Sequence, residues 1–276
     1  MDLNLLFIAY ARFENIQNNL ENLDLDTFNE IFIYIDGPKN DEIKKQQIDF
    51  VNNFNQKVKI ITHEKNLGVR GFIPYAISDA FKCSENLLIL EDDIIINNTS
   101  LDFIRSNYKL FDNYMLSLFN PIVLNNNLII HDGGIWGWCV SKKNWSKFNW
   151  SKVGIFEIFI TLFKKIGLLK SLFYTPLIYL SKENKIKSWA YNWFYIRIQS
   201  GIKSILPHKT MAVNVGLGDL FASSTKRSHK FGNLKLSNEI SQVTLNSSIP
   251  LNLNIGYSYS ETFLRIFYNW FRILKK

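Results

Sequence analysis

Three acids, Glu91, Asp92 and Asp93, stand side by side inside the run LLILEDDIII, Leu87 to Ile96. Everything around them calls for burial, and a buried carboxylate without a partner is costly. Two kinds of partner make such a cluster tolerable. Acids at a strand end can hold a divalent cation through oxygen ligands, usually one or two carboxylates beside substrate phosphates. They can also bond the hydroxyls of a ribose. A strand that continues through the triplet points Glu91 and Asp93 together and Asp92 to the other side. A strand that stops at Leu90 leaves all three in water. A cation held there neutralises a diphosphate leaving group.

The elements that must position these acids alternate along the first hundred residues. Leu3–Ala9 is a short apolar run that predicts a buried strand, and Glu14–Leu23 has helical spacing. Glu30–Ile35 predicts the next strand and ends in the turn sequence DGP. Asp41–Asn53 reads as a helix with Ile43, Ile48 and Val51 on one side. Val58–Thr62, Phe72–Phe81 and Asn86–Leu90 then predict strand, helix and strand. Such alternation requires right-handed crossovers and a mostly parallel sheet with helices on both faces. Ligands of such sheets bind beyond the carboxyl ends of the strands. Those ends carry AYAR (Ala9–Arg12), DGPK (Asp36–Lys39), HEKNLGVRG (His63–Gly71) and EDD (Glu91–Asp93), which therefore converge on one edge.

Composition narrows the classes. The chain has 276 residues, 47% hydrophobic and 15% aromatic, enough to build a large core. Lys and Arg outnumber Asp and Glu by 32 to 24, a formal charge of +8 that suits an anionic partner. No clustered nucleic-acid motif is present, so nucleotide and anionic membrane partners are expected and nucleic acid is not. Cys83 and Cys139 form neither a metal spacing nor a disulfide framework, which fits a reducing cytoplasm. No basic stretch precedes the apolar run of MDLNLLFIAYAR, so it does not read as a signal peptide. Neither G-x-G-x-x-G nor G-x-x-x-x-G-K occurs after a strand, which excludes the usual dinucleotide fingerprint and the P-loop.

AYAR after the first strand, IDGP after the second, KNLGV after the third and LILEDD after the fourth form one ordered set. WGWCVSKKNW, SWAYNWFY and LPHKTMAVNVGLG follow it. In this order the chain resembles the GT-A class of nucleotide-sugar glycosyltransferases, from about Leu3 to about Leu220. It looks most like bacterial family 2-type enzymes of surface-polysaccharide loci and the N-acetylglucosaminyltransferase I group. The resemblance implies an α/β fold with a mixed sheet flanked by helices and a C-terminal helical, aromatic extension. It implies a domain over 1–225, with a nucleotide-binding half at 1–98 and an acceptor-binding half at 99–225 that carries an insert at about 151–185. Residues 226–276 would form a tail.

The same resemblance implies roles. Ala9, Tyr10 and Arg12 would line the nucleotide pocket, with Arg12 near the phosphates. Asp36 would bond the uracil or equivalent base. Asn66, Gly68 and Arg70 would shape the wall beside the diphosphate. Glu91 and Asp92 would contact the nucleoside, and Asp93 would be the protein ligand to Mn²⁺ or Mg²⁺. Trp136 and Gly137 would sit under the donor sugar, and Gly216–His229 would close over it. The expected activity is metal-dependent transfer from a UDP-sugar, with inversion, to a bacterial surface glycan such as lipopolysaccharide, lipooligosaccharide or capsule. A degenerate nucleotide-sugar- or glycan-binding protein is the alternative.

One departure bears on catalysis. An inverting transferase needs a general base for the acceptor hydroxyl, and in relatives an Asp often follows the Trp of the aromatic block. Here the pair is Trp189-Ala190, and a methyl group accepts no proton. Either the position has been substituted, or this branch never placed its base there, or another acid serves, with Asp132 the nearest replacement. Beyond the site, FEIFITLFKKIGLLK (Phe156–Lys170) and ETFLRIFYNWFRILKK (Glu261–Lys276) mix aromatics with basic residues. As helices they suit either an anionic bilayer interface, as in a peripheral enzyme with a lipid-linked glycan acceptor on the inner face of the cell membrane, or packing against the core or another subunit.

Overall fold

The computed structural model describes residues 1–54, 58–121, 124, 127–131, 133–217, 235–239 and 259–274. The first half reads β1 Asn4–Ala9, α1 Phe13–Asn22, β2 Ile31–Ile35, α2 Asp41–Asn53, β3 Lys59–Thr62, α3 Gly68–Ala80 and β4 Asn86–Glu91. β5 Ile94–Ile95, α4 Asn98–Asn107, β6 Tyr114–Ser117, β7 Leu128–Ile130, β8 Trp138–Ser141 and α5 Lys142–Trp145 follow. α6 Ile155–Ile166, α7 Leu168–Lys182, α8 Ala190–Ser200, β9 Lys203–Leu206, β10 Val213–Asn214 and α9 Tyr259–Leu274 complete the order.

Eight strands form one mixed sheet in the order β3-β2-β1-β4-β8-β6-β9-β7. β1 lies between β2 and β4 and is parallel to both. Its six residues are all buried, as expected of a strand covered on both faces. β3 closes the edge and exposes Lys59 and Thr62. β8 joins β4 antiparallel and so attaches the second half of the chain. The chain is therefore an α/β protein with a mixed sheet flanked by helices: the first four strands are parallel, as their alternation with helices requires, and the antiparallel pairings come with the second half.

Helix α2 differs from expectation in its inner face. Ile43, Gln47 and Phe50 point inward, while Ile48 is 48% exposed. The i, i+4, i+7 spacing selects that stripe. Gln47 is accepted there because its amide donates to the Tyr10 carbonyl at 3.0 Å and the Asp36 carbonyl at 2.9 Å.

The aromatic blocks form core. Trp138 and Trp189 stack at 5.9 Å, and Trp145 and Trp193 close the group at 5.0 Å between β8, α5 and α8. The stretch expected as an insert, about 151–185, contains the helical pair α6–α7, with Ile158, Leu162 and Ile166 packed on Ile178, Phe194 and Ile198. The described parts of the tail are tied to the body. Asn97 Nδ2 donates to the Ser237 carbonyl at 3.0 Å, and Trp270 Nε1 donates to the Leu172 carbonyl at 2.9 Å. Among the described residues, no helix is long and apolar enough to cross a membrane.

Candidate active site

The carboxyl ends of β1, β2 and β4 surround a cavity of about 440 Å³. It opens where β1 passes from β2 on one side to β4 on the other, the switch point at which open α/β sheets hold ligands. Ala9, Tyr10, Arg12, Asp36, Asn66, Gly68, Glu91, Asp92 and Asp93 all line it. The four separate sequence segments thus form one site.

Two of the four acids at the strand ends hold its walls. Asp92 is 7% exposed. Its Oδ2 accepts the backbone N–H groups of Tyr10, Ala11 and Arg12 at 2.8, 3.1 and 3.3 Å, and its Oδ1 accepts Arg12 Nη1 at 3.0 Å. The β1–α1 loop is therefore wrapped on this carboxylate. Asp36 is 5% exposed and does the same for the loop before α3. Its Oδ1 accepts Gly37 N–H at 2.9 Å and Leu67 N–H at 2.8 Å, and its Oδ2 accepts Gly68 N–H at 2.8 Å and Asn66 Nδ2 at 3.2 Å. Each oxygen is thereby doubly engaged, so a base imide reaches Asp36 only by displacing one of these bonds. Gly37 permits the close approach, because a Cβ there would lie 2.3 Å from the Lys65 carbonyl carbon.

The other two acids face the cavity. Glu91 is the last residue of β4 and Asp93 lies in the turn that follows, so the strand outlasts Leu90 by one residue. Burial pushes the Glu91 carboxyl up to about 8, helped by the charges of Asp93 and Asp92 and opposed by Arg12. Asp93 is pushed up to about 6 by burial and Asp92, and held back by Arg12 and a hydrogen bond from Asn214. Arg12 Nη1 stands 4.0 Å from Asp93. One guanidinium thus faces three carboxylates, and the negative charge is incompletely compensated. Hard carboxylate oxygens in that state suit Mg²⁺ or Mn²⁺. Among the described residues no group of three His, Cys, Asp or Glu side chains is placed to hold a metal by itself. A cation here would rest on Asp93, with Glu91 beside it, and take further oxygens from a bound phosphate.

The second half of the chain closes on the same turn. β10 pairs antiparallel with β5, and Val215 N–H donates to the Asp93 carbonyl at 2.8 Å. Gly216 lies so close that a Cβ would fall 2.7 Å from Asp93 Cβ and 3.1 Å from the Arg12 guanidinium carbon. The expected closing segment, Gly216–His229, therefore begins on the acids; its residues 218–229 lie outside the described residues.

Other expected residues lie elsewhere. Arg70 does not line the cavity; its guanidinium stacks 3.6 Å from the Trp150 ring centroid, and burial lowers its pKa. Gly137, with φ +65°, is buried, and a Cβ there would meet Ala212, Leu118 and Leu90. It serves β8 packing. Trp136 is half-buried and meets Phe119 edge-on at 4.5 Å. Ala190 is the first residue of α8 and packs on the tryptophan core. Asp132 lies outside the described residues. Lys39, Asn40, Glu42, Val69, Phe72 and Ile73 complete the lining. Of these, Lys39 sits 5.1 Å from the Tyr10 ring centroid, and its place in DGPK was the available signal.

No family model and no curated protein matches the chain. Among solved structures, the chain is similar to S. aureus TarS 1–349 in complex with UDP-GlcNAc, at 15% identity and a TM-score of 0.41 over 84% of this chain. It is similar to S. aureus TarS 1–349 alone at 15% identity and a TM-score of 0.39, and to its UDP complex at 16% and 0.39, each over 77% of this chain. In all three the alignment covers 60% of the TarS chain.

Proposed function

We propose that the chain is a GT-A-type glycosyltransferase that takes its sugar from a nucleotide diphosphate, UDP-sugars foremost. The observation that carries this reading is the division of labour among the acids. Asp36 and Asp92 build the walls, and Glu91 and Asp93 face a 440 Å³ cavity with their charge incompletely compensated. That size suits a small-molecule ligand. Arg12 at the acids and Lys39 over Tyr10 supply positive charge for a diphosphate. Asp93 would hold Mn²⁺ or Mg²⁺ with Glu91 beside it, and a bound cation supplies electrostatic stabilisation of the departing diphosphate.

On this reading the chain's own groups orient the donor, a carboxylate on the acceptor side takes the hydroxyl proton, and the acceptor oxygen bonds to the anomeric carbon as the bond to the nucleoside diphosphate breaks on the opposite face, a single displacement that inverts the centre. Asp132 is assigned that role, because Ala190 has no proton acceptor. The acceptor is a bacterial surface glycan or its lipid-linked form, met at the inner face of the membrane. A second reading, a binding protein without catalysis, is favoured by Ala190 alone. Titration calorimetry with UDP-sugars, with and without Mn²⁺, tests the donor site. Release of free sugar and UDP over time then separates the two readings, because water can serve as a poor acceptor in an active enzyme and not in a binding protein. Donor binding that ignores Mn²⁺ and survives Asp93→Ala would reject the site assignment.

A further inference from the structure

We propose that the outward faces of α6 and α9 form a docking surface for an anionic lipid bilayer. Both helices pack on α7, and each turns an apolar stripe the other way. On α6, Ile158, Leu162 and Ile166 are buried, while Phe156, Ile160 and Phe163 are 79, 49 and 50% exposed. The outward residues recur at i, i+4, i+7, one continuous stripe. On α9, Asn269 is buried and Trp270 binds the Leu172 carbonyl, while Leu264, Phe267, Tyr268 and Phe271 point out at i, i+3, i+4, i+7. Phe267 is 75% exposed. Large aromatic side chains left in water on two helices that both pack on α7 mark an interaction surface.

Charge decides the occupant. Across α6, α7 and α9 there are six basic residues, Lys164, Lys165, Lys170, Lys182, Arg265 and Arg272, against two acids, Glu157 and Glu261. Lys164, Lys165, Arg265 and Arg272 are exposed beside the aromatic stripes. A second copy of the chain, itself carrying +8, would set these like charges against each other. An anionic bilayer complements them, and aromatic side chains with flanking Lys and Arg are the composition of helices that lie in its interface. The surface is separate from the cavity, so this inference stands or falls independently of the donor site.

Co-sedimentation of the full chain with phosphatidylcholine vesicles, with and without phosphatidylglycerol, tests it. The chain is expected to sediment with the anionic vesicles only, and to be released by salt. Phe156→Ser with Phe163→Ser, and separately Phe267→Ser with Phe271→Ser, should each lower binding about tenfold or more. Lys164→Glu with Lys165→Glu, at exposed positions that leave the core untouched, should lower it about tenfold. The thermal midpoint should be unchanged in every variant, which shows that each is folded. The proposal is overturned if the chain stays in the supernatant, if it binds neutral and anionic vesicles equally, or if none of the variants weakens binding. It is also overturned if sedimentation velocity shows a dimer that the Ser variants dissociate while vesicles leave the chain in solution.

Discussion

Arg12 and Asp92 are joined twice, by the backbone N–H of Arg12 to Oδ2 at 3.3 Å and by its guanidinium to Oδ1 at 3.0 Å. Both side chains are nearly fully buried. The pair fixes the β1–α1 loop and aims Arg12 toward Asp93. Removing Asp92 breaks this buried pair and takes the acceptor from the backbone N–H groups of Tyr10, Ala11 and Arg12. Asp92→Ala should therefore lose about 3–5 kcal/mol of stability, read as a lower urea midpoint. An effect within about 0.5 kcal/mol, the range of ordinary surface substitutions, would show that the loop does not depend on this carboxylate.

Asp93 is expected to behave in the opposite way. It faces the cavity, and its charge is favoured by Arg12, by a hydrogen bond from Asn214 and by its own backbone N–H. Asp93→Asn should keep the fold at equal or slightly higher stability and abolish the Mn²⁺-dependent part of UDP-sugar affinity. Calorimetry on the purified variant checks both halves. Unchanged metal-dependent affinity would move the cation site elsewhere.

The contrast between these neighbours explains what was legible in the sequence. Alternation of apolar runs gave the first four strands, and strand ends gave most of the cavity lining, because parallel topology brings those ends together; the order of the strands in the sheet and the antiparallel half were not read from it. Which acid does what was not legible. Asp36 and Asp92 carry the same residue type as Asp93 and sit at equivalent strand ends, yet their oxygens are used by backbone N–H groups from loops 31 and 80 residues distant. Arg70 shows the same limit. It stands two residues after Gly68, but the helix turns it onto Trp150 and away from the cavity. Gln47 was invisible for a related reason, since a polar residue in a helix face gives no sign of the two carbonyls that await it.

Glu91 gives a pH signature. Its folded pKa, about 8, lies above its ordinary 4.5, so the folded state binds more protons than the unfolded one between these values. Stability therefore falls as pH rises from about 4.5 to 8. Glu91→Gln removes the titration. The variant should match the wild type near pH 4.5 and exceed it at pH 8 by about 1 kcal/mol or more, roughly 2–4 °C in Tm for a domain of this size class. Thermal scans in EDTA across that range check it. A Tm difference independent of pH would mean that Glu91 ionises freely in the folded chain.

Asp36 links wall and specificity. Four donors occupy its oxygens, so Asp36→Ala should cost about 1–3 kcal/mol by leaving buried N–H groups without acceptors. Uracil and thymine carry an imide N–H that a displaced bond at Asp36 can receive, and cytosine lacks it. UDP- and dTDP-sugars should then bind and CMP-sugars should not. Tight CMP-sugar binding would show that the base is read by another group, with Asp36 confined to holding the loop.

The proton acceptor for the acceptor hydroxyl is the remaining assignment. Trp189 is 2% exposed and stacked on Trp138, and Ala190 follows it as the first residue of α8, packed on the same tryptophan cluster. A carboxylate introduced there is tolerated by the helix, because a first-turn acid is favoured by the dipole. Ala190→Asp is therefore a clean test that should leave donor affinity unchanged. Position 190 is only partly buried and does not line the cavity, so the substitution is expected to give no gain in transfer rate. Asp132→Asn should lower transfer by about 10²- to 10⁴-fold, the usual loss with a general base, and leave donor affinity intact. Both variants need the same acceptor, with initial rates measured at saturating donor. A rate increase from Ala190→Asp together with an active Asp132→Asn would reverse the assignment and identify position 190 as a base site that this chain lacks.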